Sequence, residues 1–216
     1  MAMEQNAQIK PVDIDGEVME TLNLPKEFEH EIQGRPDFAR LSVQLKANEK
    51  IKAEASAMVS MDTNISMKTK FKGGFKRFMG GESLFINEFT AEQFPGEITF
   101  ASGLPGDIYH YHLDADKEDA LFLQSGAFLA GGMGVDVATK FQGLVKGFFA
   151  GAGLFMIKCT GHGDVFFNSY GGIVEIEVEA FEAGLVGAQR AFEIHRDDRC
   201  DRMPLARVAN RGREVA

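Results

Sequence analysis

Residues 57–91 recur as residues 127–161 at a constant offset of 70. No other feature constrains the fold as strongly, because it means that one supersecondary unit is built twice and packed against its own copy. Aligned without gaps, Ala57, Thr69, Lys70, Phe71, Gly73, Lys76, Phe78, Gly81, Leu84, Phe85 and Thr90 match Ala127, Thr139, Lys140, Phe141, Gly143, Lys146, Phe148, Gly151, Leu154, Phe155 and Thr160. These are 11 identities in 35 positions, and Met58/Phe128, Val59/Leu129, Ile65/Val135 and Met67/Val137 keep apolar character. After a three-residue gap, Gly96-Glu97-Ile98 faces Gly163-Asp164-Val165. One further gap sets Gly106 against Gly172 and Ile108 against Val174. Apolar and glycine positions mostly serve packing and turns, so the matched residues read as core and the chemistry is sought in what is not repeated.

The repeated region reads as strands. Leu41, Val43 and Leu45 alternate with Ser42, Gln44 and Lys46, the period-2 pattern of a half-buried strand. Ala47 to Lys50 is a turn, and Ile98 to Phe100 and Ile108 to Leu113 are further strands separated by the breaking sequence Ser102 to Asp107. Val174, Ile176 and Val178 alternate with Glu175, Glu177 and Glu179. Gly147 to Ile157 reads as a buried strand pair. Short strands with glycine-rich turns predict an all-β sandwich or barrel. Helical spacing appears at Phe71 to Met79 and Phe141 to Phe149, where glycines weaken it. Residues 1–29 form a polar arm, with a short helix expected near Glu27 to Glu31. The expected divisions are this arm, a first β unit over 30–116, a second over 117–178, and a tail over 179–216. The tail holds seven of the ten arginines and no lysine, and it shows no alternation that would add a patterned strand.

Bulk composition excludes several classes. The 216 residues carry a net charge of −9, which argues against a generic phosphate-backbone binder. Two cysteines, Cys159 and Cys200, are too few for a disulfide scaffold and point to free thiols in a reducing, cytoplasmic setting. The first sixteen residues lack an apolar stretch, so no secretory leader is expected. No apolar run approaches the ~18–20 residues of a spanning helix.

Residues His30 to about Glu179 resemble the altered-inheritance-of-mitochondria protein 24 family, whose bacterial members were long filed as a domain of unknown function. The motifs carrying the resemblance are Gly34-Arg35-Pro36-Asp37-Phe38, Glu54-Ala55-Ser56-Ala57-Met58-Val59, Gly80-Gly81-Glu82-Ser83-Leu84-Phe85, Gly103-Leu104-Pro105-Gly106-Asp107-Ile108 and Ser125-Gly126-Ala127-Phe128-Leu129-Ala130. Gly161-His162-Gly163 and Tyr170-Gly171-Gly172 complete them. The resemblance implies a fold similar to the trp RNA-binding attenuation protein, a short double-stranded β-helix unit occurring three times per chain, and a ring-shaped homotrimer. The yeast member is tied to mitochondrial inner-membrane organisation, and the family supplies no catalytic motif to carry over. Family members continue past Val178 into a third β unit, whereas the tail here is a divergent or frame-shifted end that leaves that unit incomplete.

Candidate chemistry lies outside the matched positions. His110 and His112 point to one face of a strand, as in the His-x-His of metal cupins, with Asp107, Asp114 or His162 as third-ligand candidates. The cupin spacing is not met, so surface or interface histidines are the expectation, with no metal or other cofactor. Cys159 lies on a predicted strand beside Lys158, with no His/Asn partner pattern, and reads as a small buried residue. Neither a Gly-x-Ser-x-Gly elbow nor a phosphate loop occurs. Lys68, Lys70, Lys72, Lys76 and Arg77, interleaved with Phe71 and Phe75, have the composition of an anionic lipid or nucleic-acid contact. Taken together, the sequence predicts a non-enzymatic oligomeric scaffold or binding protein, a homotrimer acting at a membrane surface or on a protein partner. Binding of RNA or another polyanion ranks second, and a metal-dependent cupin-like enzyme centred on His110 and His112 ranks third.

Overall fold

In the computed structural model, residues 26–71, 85–115, 120–141, 155–178, 189–195 and 204–209 are described. They form sixteen strands: β1 (Glu29–Gln33), β2 (Arg40–Leu45), β3 (Lys50–Glu54), β4 (Met58–Met61), β5 (Ile65–Phe71), β6 (Phe85–Ala91), β7 (Gly96–Ala101) and β8 (Ile108–Leu113), then β9 (Ala120–Gln124), β10 (Phe128–Gly132), β11 (Val135–Phe141), β12 (Phe155–Gly161), β13 (Gly163–Asn168), β14 (Gly172–Val178), β15 (Gln189–His195) and β16 (Pro204–Ala209). The all-β class predicted from the alternation is what the chain adopts. The helix-like stretches fall largely outside the described residues; their first residues, Phe71 and Phe141, end β5 and β11.

Three open antiparallel sheets result. The first runs β1-β2-β7-β4, the second β5-β6-β3-β10-β13-β8 and the third β11-β12-β9-β16-β15-β14. The duplication is visible in the strand bounds, since β3, β5 and β6 reappear 70 residues later as β9, β11 and β12. The copies are not stacked as separate blocks. The second sheet inserts β10 and β13 of the second unit between β5, β6 and β3 on one side and β8 on the other, all four from the first unit, with Ala53 opposite Ala130 across the seam.

Alternation places the cores. On β2, Leu41, Val43 and Leu45 are buried while the residues between them are not. They join Phe28, Ile51, Phe89, Ile98, Phe100 and Phe166 in one core. A second core gathers Leu113, Leu121, Leu123, Phe128, Val135, Val165 and Phe167. On β13, Phe166 and Phe167 thus enter opposite cores, so the middle sheet is covered on both faces.

Two expectations are corrected. Glu27 to Glu31 does not form a helix: residues 29–33 are β1, paired with β2 from Glu29↔Gln44 to Gln33↔Arg40. A sheet edge that satisfies every second backbone group outcompetes an isolated turn of helix. The tail does add strands. β16 pairs with β9 on one side and β15 on the other, and β15 also pairs with β14. Beside β9, the order β16-β15-β14 fills the places that β10-β13-β8 fill beside β3. The three tail-side strands follow one another as a meander, a different route to the same positions. Strands held on both sides need less side-chain patterning than an edge strand, because the ladder itself is complete.

The motif glycines and their charged neighbours build one corner. Arg35 donates from Nε and Nη2 to Asp107 Oδ1 and Oδ2 at 2.7 and 2.9 Å, and its guanidinium stands over the Tyr109 ring at 5.9 Å. Asp107 is buried and its backbone exchanges hydrogen bonds with Ser169 and Gly171. At Gly106 (φ +159°) a Cβ would lie 1.7 Å from the Ser169 carbonyl oxygen, so only glycine allows the two loops to meet.

Candidate functional site

The histidines predicted to share a face of β8 do so, but the face is an internal one. β8 pairs with β13, setting His112 opposite Asp164 and His110 opposite Phe166. The fully buried Asp164 carboxylate is the hub. Its Oδ1 lies 2.7 Å from His112 Nδ1 and 2.9 Å from His110 Nε2. Its Oδ2 accepts the backbone N–H groups of Glu27 and Phe28 at 2.9 and 3.0 Å. Glu27 returns the contact, its Oε2 accepting the Asp164 backbone N–H at 3.1 Å. From β1, the His30 ring lies 4.5 Å from that of His110 and stands edge-on to Phe166 at 4.8 Å. His162 meets His112 edge-on at 5.1 Å. Four of the chain's five histidines therefore gather in and beside one buried carboxylate.

The electrostatics follow from this crowding. Burial pushes Asp164 upward, but His110, His112 and the Phe28 N–H outweigh it and hold its pKa down at about 2. Burial raises the Glu27 carboxyl, against the Asp164 backbone N–H and helped by the Asp164 and Glu49 charges. Burial lowers His30, with the Phe28 carbonyl opposing and the charge of His110 adding to the fall. His110 Nε2 is close to Oδ1 but out of line for a hydrogen bond, and it is a buried polar atom without one.

The sequence reading is corrected here in two respects. Expected as surface or interface histidines, His110 and His112 are largely buried within the chain, with 10% and 7% of their side chains exposed. The carboxylate they meet is Asp164, which the candidates Asp107, Asp114 and His162 did not include, and Asp107 is committed to Arg35. Sequence reasoning missed His30 and Asp164. The repeat contained a signal for Asp164, since it aligns with Glu97, which faces Gln44 as Asp164 faces His112. In the first copy the pair is an exposed Gln44–Glu97 hydrogen bond. In the second sheet the same register holds His112 of the first unit against Asp164 of the second, roofed by residues 27–30. The frame is duplicated and the chemistry is not.

Of the basic segment, Lys68 and Lys70 lie on β5 and are exposed, with Lys68 opposite Glu88 in register. Lys70 pairs with Glu88 at 2.6 Å. Lys72, Lys76 and Arg77 lie outside the described residues. Lys70 and Glu88 also border a shallow depression of about 190 Å³ lined by Lys52, Met133, Asp136 and Val137. Cys159, on β12, is a free, fully buried thiol as predicted.

A second feature is the edge at β4. β10 occupies the equivalent place in the second copy and is buried along its whole length. β4 is exposed at Val59, Ser60 and Met61, with Val59 62% exposed. β10 is held between β3 and β13, and β16 between β9 and β15, whereas among the described residues β4 pairs with β7 alone.

The profile of the mitochondrial biogenesis AIM24 family matches residues 30–189. The chain belongs to this family. It is 27% identical over 154 residues to an uncharacterised protein of Streptococcus pyogenes serotype M6, a match covering 66% of this chain. The chain spans 60% of the length of that curated relative. The crystal structure of a Streptococcus pyogenes protein superposes with a TM-score of 0.56 at 20% identity, covering 84% of this chain and 92% of that one. At that identity the likeness is one of fold. Arg35, Gly106, Asp107 and Gly171, which belong to the motifs that carry the resemblance, lock the loops of the frame together. Among the described residues no helix is long and apolar enough to cross a membrane.

Proposed function

We propose that this chain is a non-enzymatic oligomeric scaffold or binding protein of the cytoplasm, whose copies associate through the free edge of β4. The observation that carries this reading is the contrast between β4 and its equivalents. The same position in the repeat is strand-paired on both sides at β10 and β16 and, among the described residues, open at β4, where Val59 and Met61 face outward. Unpaired strand edges bearing apolar residues are what natural proteins pair or cover. A second copy is the occupant proposed, because a repeated fold presents complementary strands of its own kind and closed symmetric assemblies are the common outcome.

Light scattering on the eluting peak tests this. The expected mass is a multiple of the 23.7 kDa chain, threefold for the homotrimer that the family resemblance implies. Val59→Lys, and independently Ser60→Pro, shift it towards the single-chain mass. A wild-type monomer, or an assembly indifferent to both substitutions, sinks the proposal.

Action at a membrane surface is the finer part of the same reading and rests on Lys68, Lys72, Lys76 and Arg77, since the charge of Lys70 is committed to Glu88. Co-sedimentation with phosphatidylserine vesicles is expected to fall when Lys72, Lys76 and Arg77 are replaced by Glu, and unchanged sedimentation removes this part. The polyanion reading draws no support from Lys70, and the charge of −9 weighs against it.

A further inference from the structure

Three strands from two sheets bring two imidazoles and a carboxylate together in the wall behind Glu27. Ligand atoms of His30, His110 and Asp164 all lie within 4.8 Å of one another. Two of the three are already oriented by a neighbour. His30 Nδ1 lies 3.0 Å from the Phe28 carbonyl, which can only accept, so that nitrogen carries the hydrogen and the Nε2 lone pair is left for a ligand. Asp164 has its Oδ2 occupied by two backbone N–H groups, which leaves Oδ1 turned to the imidazoles. His112 Nδ1 at 2.7 Å from Oδ1 is the outer hydrogen bond that aims the carboxylate. His110 Nε2 stands 2.9 Å from Oδ1, buried and without a hydrogen bond. A buried nitrogen left this way costs stability unless something else takes its lone pair.

We propose that His30, His110 and Asp164 form a binding site for a divalent first-row transition-metal ion, zinc above all, that clasps β1 of the first sheet to β8 and β13 of the second. Two imidazoles and one carboxylate match the preferences of zinc, with a fourth position left for water, and they are poor ligands for magnesium or calcium. Ligands at ~2.0–2.1 Å in a tetrahedron stand about 3.4 Å apart, so binding draws the widest pair in by about 1.4 Å. His30 supplies this movement, because β1 is the outer strand of its sheet and the His30 side chain is only part-buried. The site is a structural clasp, and no catalytic step is assigned to it.

The test uses the full chain, stripped with chelator and titrated with Zn²⁺ by calorimetry, and with Co²⁺ by visible absorption. About one ion per chain is expected, with a d–d spectrum of nitrogen and oxygen ligation and a melting temperature raised by Zn²⁺ but not by Mg²⁺. His30→Gln and His110→Gln each weaken binding at least tenfold and abolish the thermal shift, while His162→Gln leaves both as in the wild type. The proposal is overturned by Zn²⁺ uptake far below one ion per chain, or by binding indifferent to His30→Gln, the signature of scattered surface sites. Should His110→Gln fail to fold, His30→Gln on the outer strand decides the question alone.

Discussion

Cys159 shows how a single side chain reads its surroundings. Burial pushes its thiol from 9.0 up to about 12, against the charge of Lys52 and assisted by Asp136. A raised folded-state pKa means that stability is complete below pH 9 and declines as the pH climbs from 9 towards 12, because only the unfolded thiol ionises there. Between pH 8 and 10.5, urea unfolding is expected to show an extra loss of about 2 kcal/mol in the wild type relative to Cys159→Ala. Peptide mapping after iodoacetamide at pH 8 should also find Cys159 about a thousandfold less reactive in the native chain than in urea. Arg35 offers a second test. Arg35→Met leaves the buried Asp107 carboxylate without its partner, and about 2–3 kcal/mol of stability is expected to go. The loss stays below that of a fully buried pair because the Arg35 side chain is 39% exposed. Arg35→Lys, which keeps charge but not the two-pronged geometry, should fall between them. At this scale the sequence was half legible. The spacing of His110 and His112 fixes a shared face, because the period of a strand is two. It cannot name the residue across the ladder, and Asp164 lies 52 residues along the chain from His112.

The elements were legible where one face is buried and one is wet. β2 could be read from alternation because Leu41 and Val43 enter a core while Arg40, Ser42 and Gln44 do not; on β7, Ile98 and Phe100 enter the same core but Thr99 between them is buried as well. The tail was not legible in this way. Phe192 and Ile194 do alternate with Ala191, Glu193 and His195, but two apolar residues among arginines are too short a signal to outweigh composition. What makes the tail a strand pair is the free edge of β9, a long-range demand that no local window contains. Ending the chain after Val178 tests this. β9 would lose its neighbour β16 beside Leu121 and Leu123, both fully buried. The shortened chain is expected to bind a hydrophobic dye and to aggregate where the full chain stays soluble. If it remains a well-folded protein with unchanged stability, β15 and β16 are dispensable. β4 makes the complementary point. Its sequence resembles that of β10 in apolar character, and what differs is the neighbour: β3 lies beside β10, whereas among the described residues β4 pairs with β7 alone.

The whole molecule is held together by sharing between the copies rather than by contact between finished halves. The second sheet takes four strands from the first unit and two from the second, β13 sends Phe166 into one core and Phe167 into the other, and buried Lys52 donates from β3 to the Val135 carbonyl on β11. Duplication of the sequence, taken alone, suggests two units that melt independently. The topology forbids it, because removing the second copy strips β3 of its neighbour β10 and leaves Ile51 and Ala53 at an open edge. Differential scanning calorimetry at fixed protein concentration is therefore expected to give one transition, with calorimetric and van't Hoff enthalpies in agreement. Phe166→Ala and Phe167→Ala sharpen the test, since each empties a different core and each should cost about 3–5 kcal/mol. In a shared fold both substitutions lower the same single transition. In a molecule of two independent units, each would move one of two resolved transitions and leave the other in place, and that result would refute the shared-sheet account.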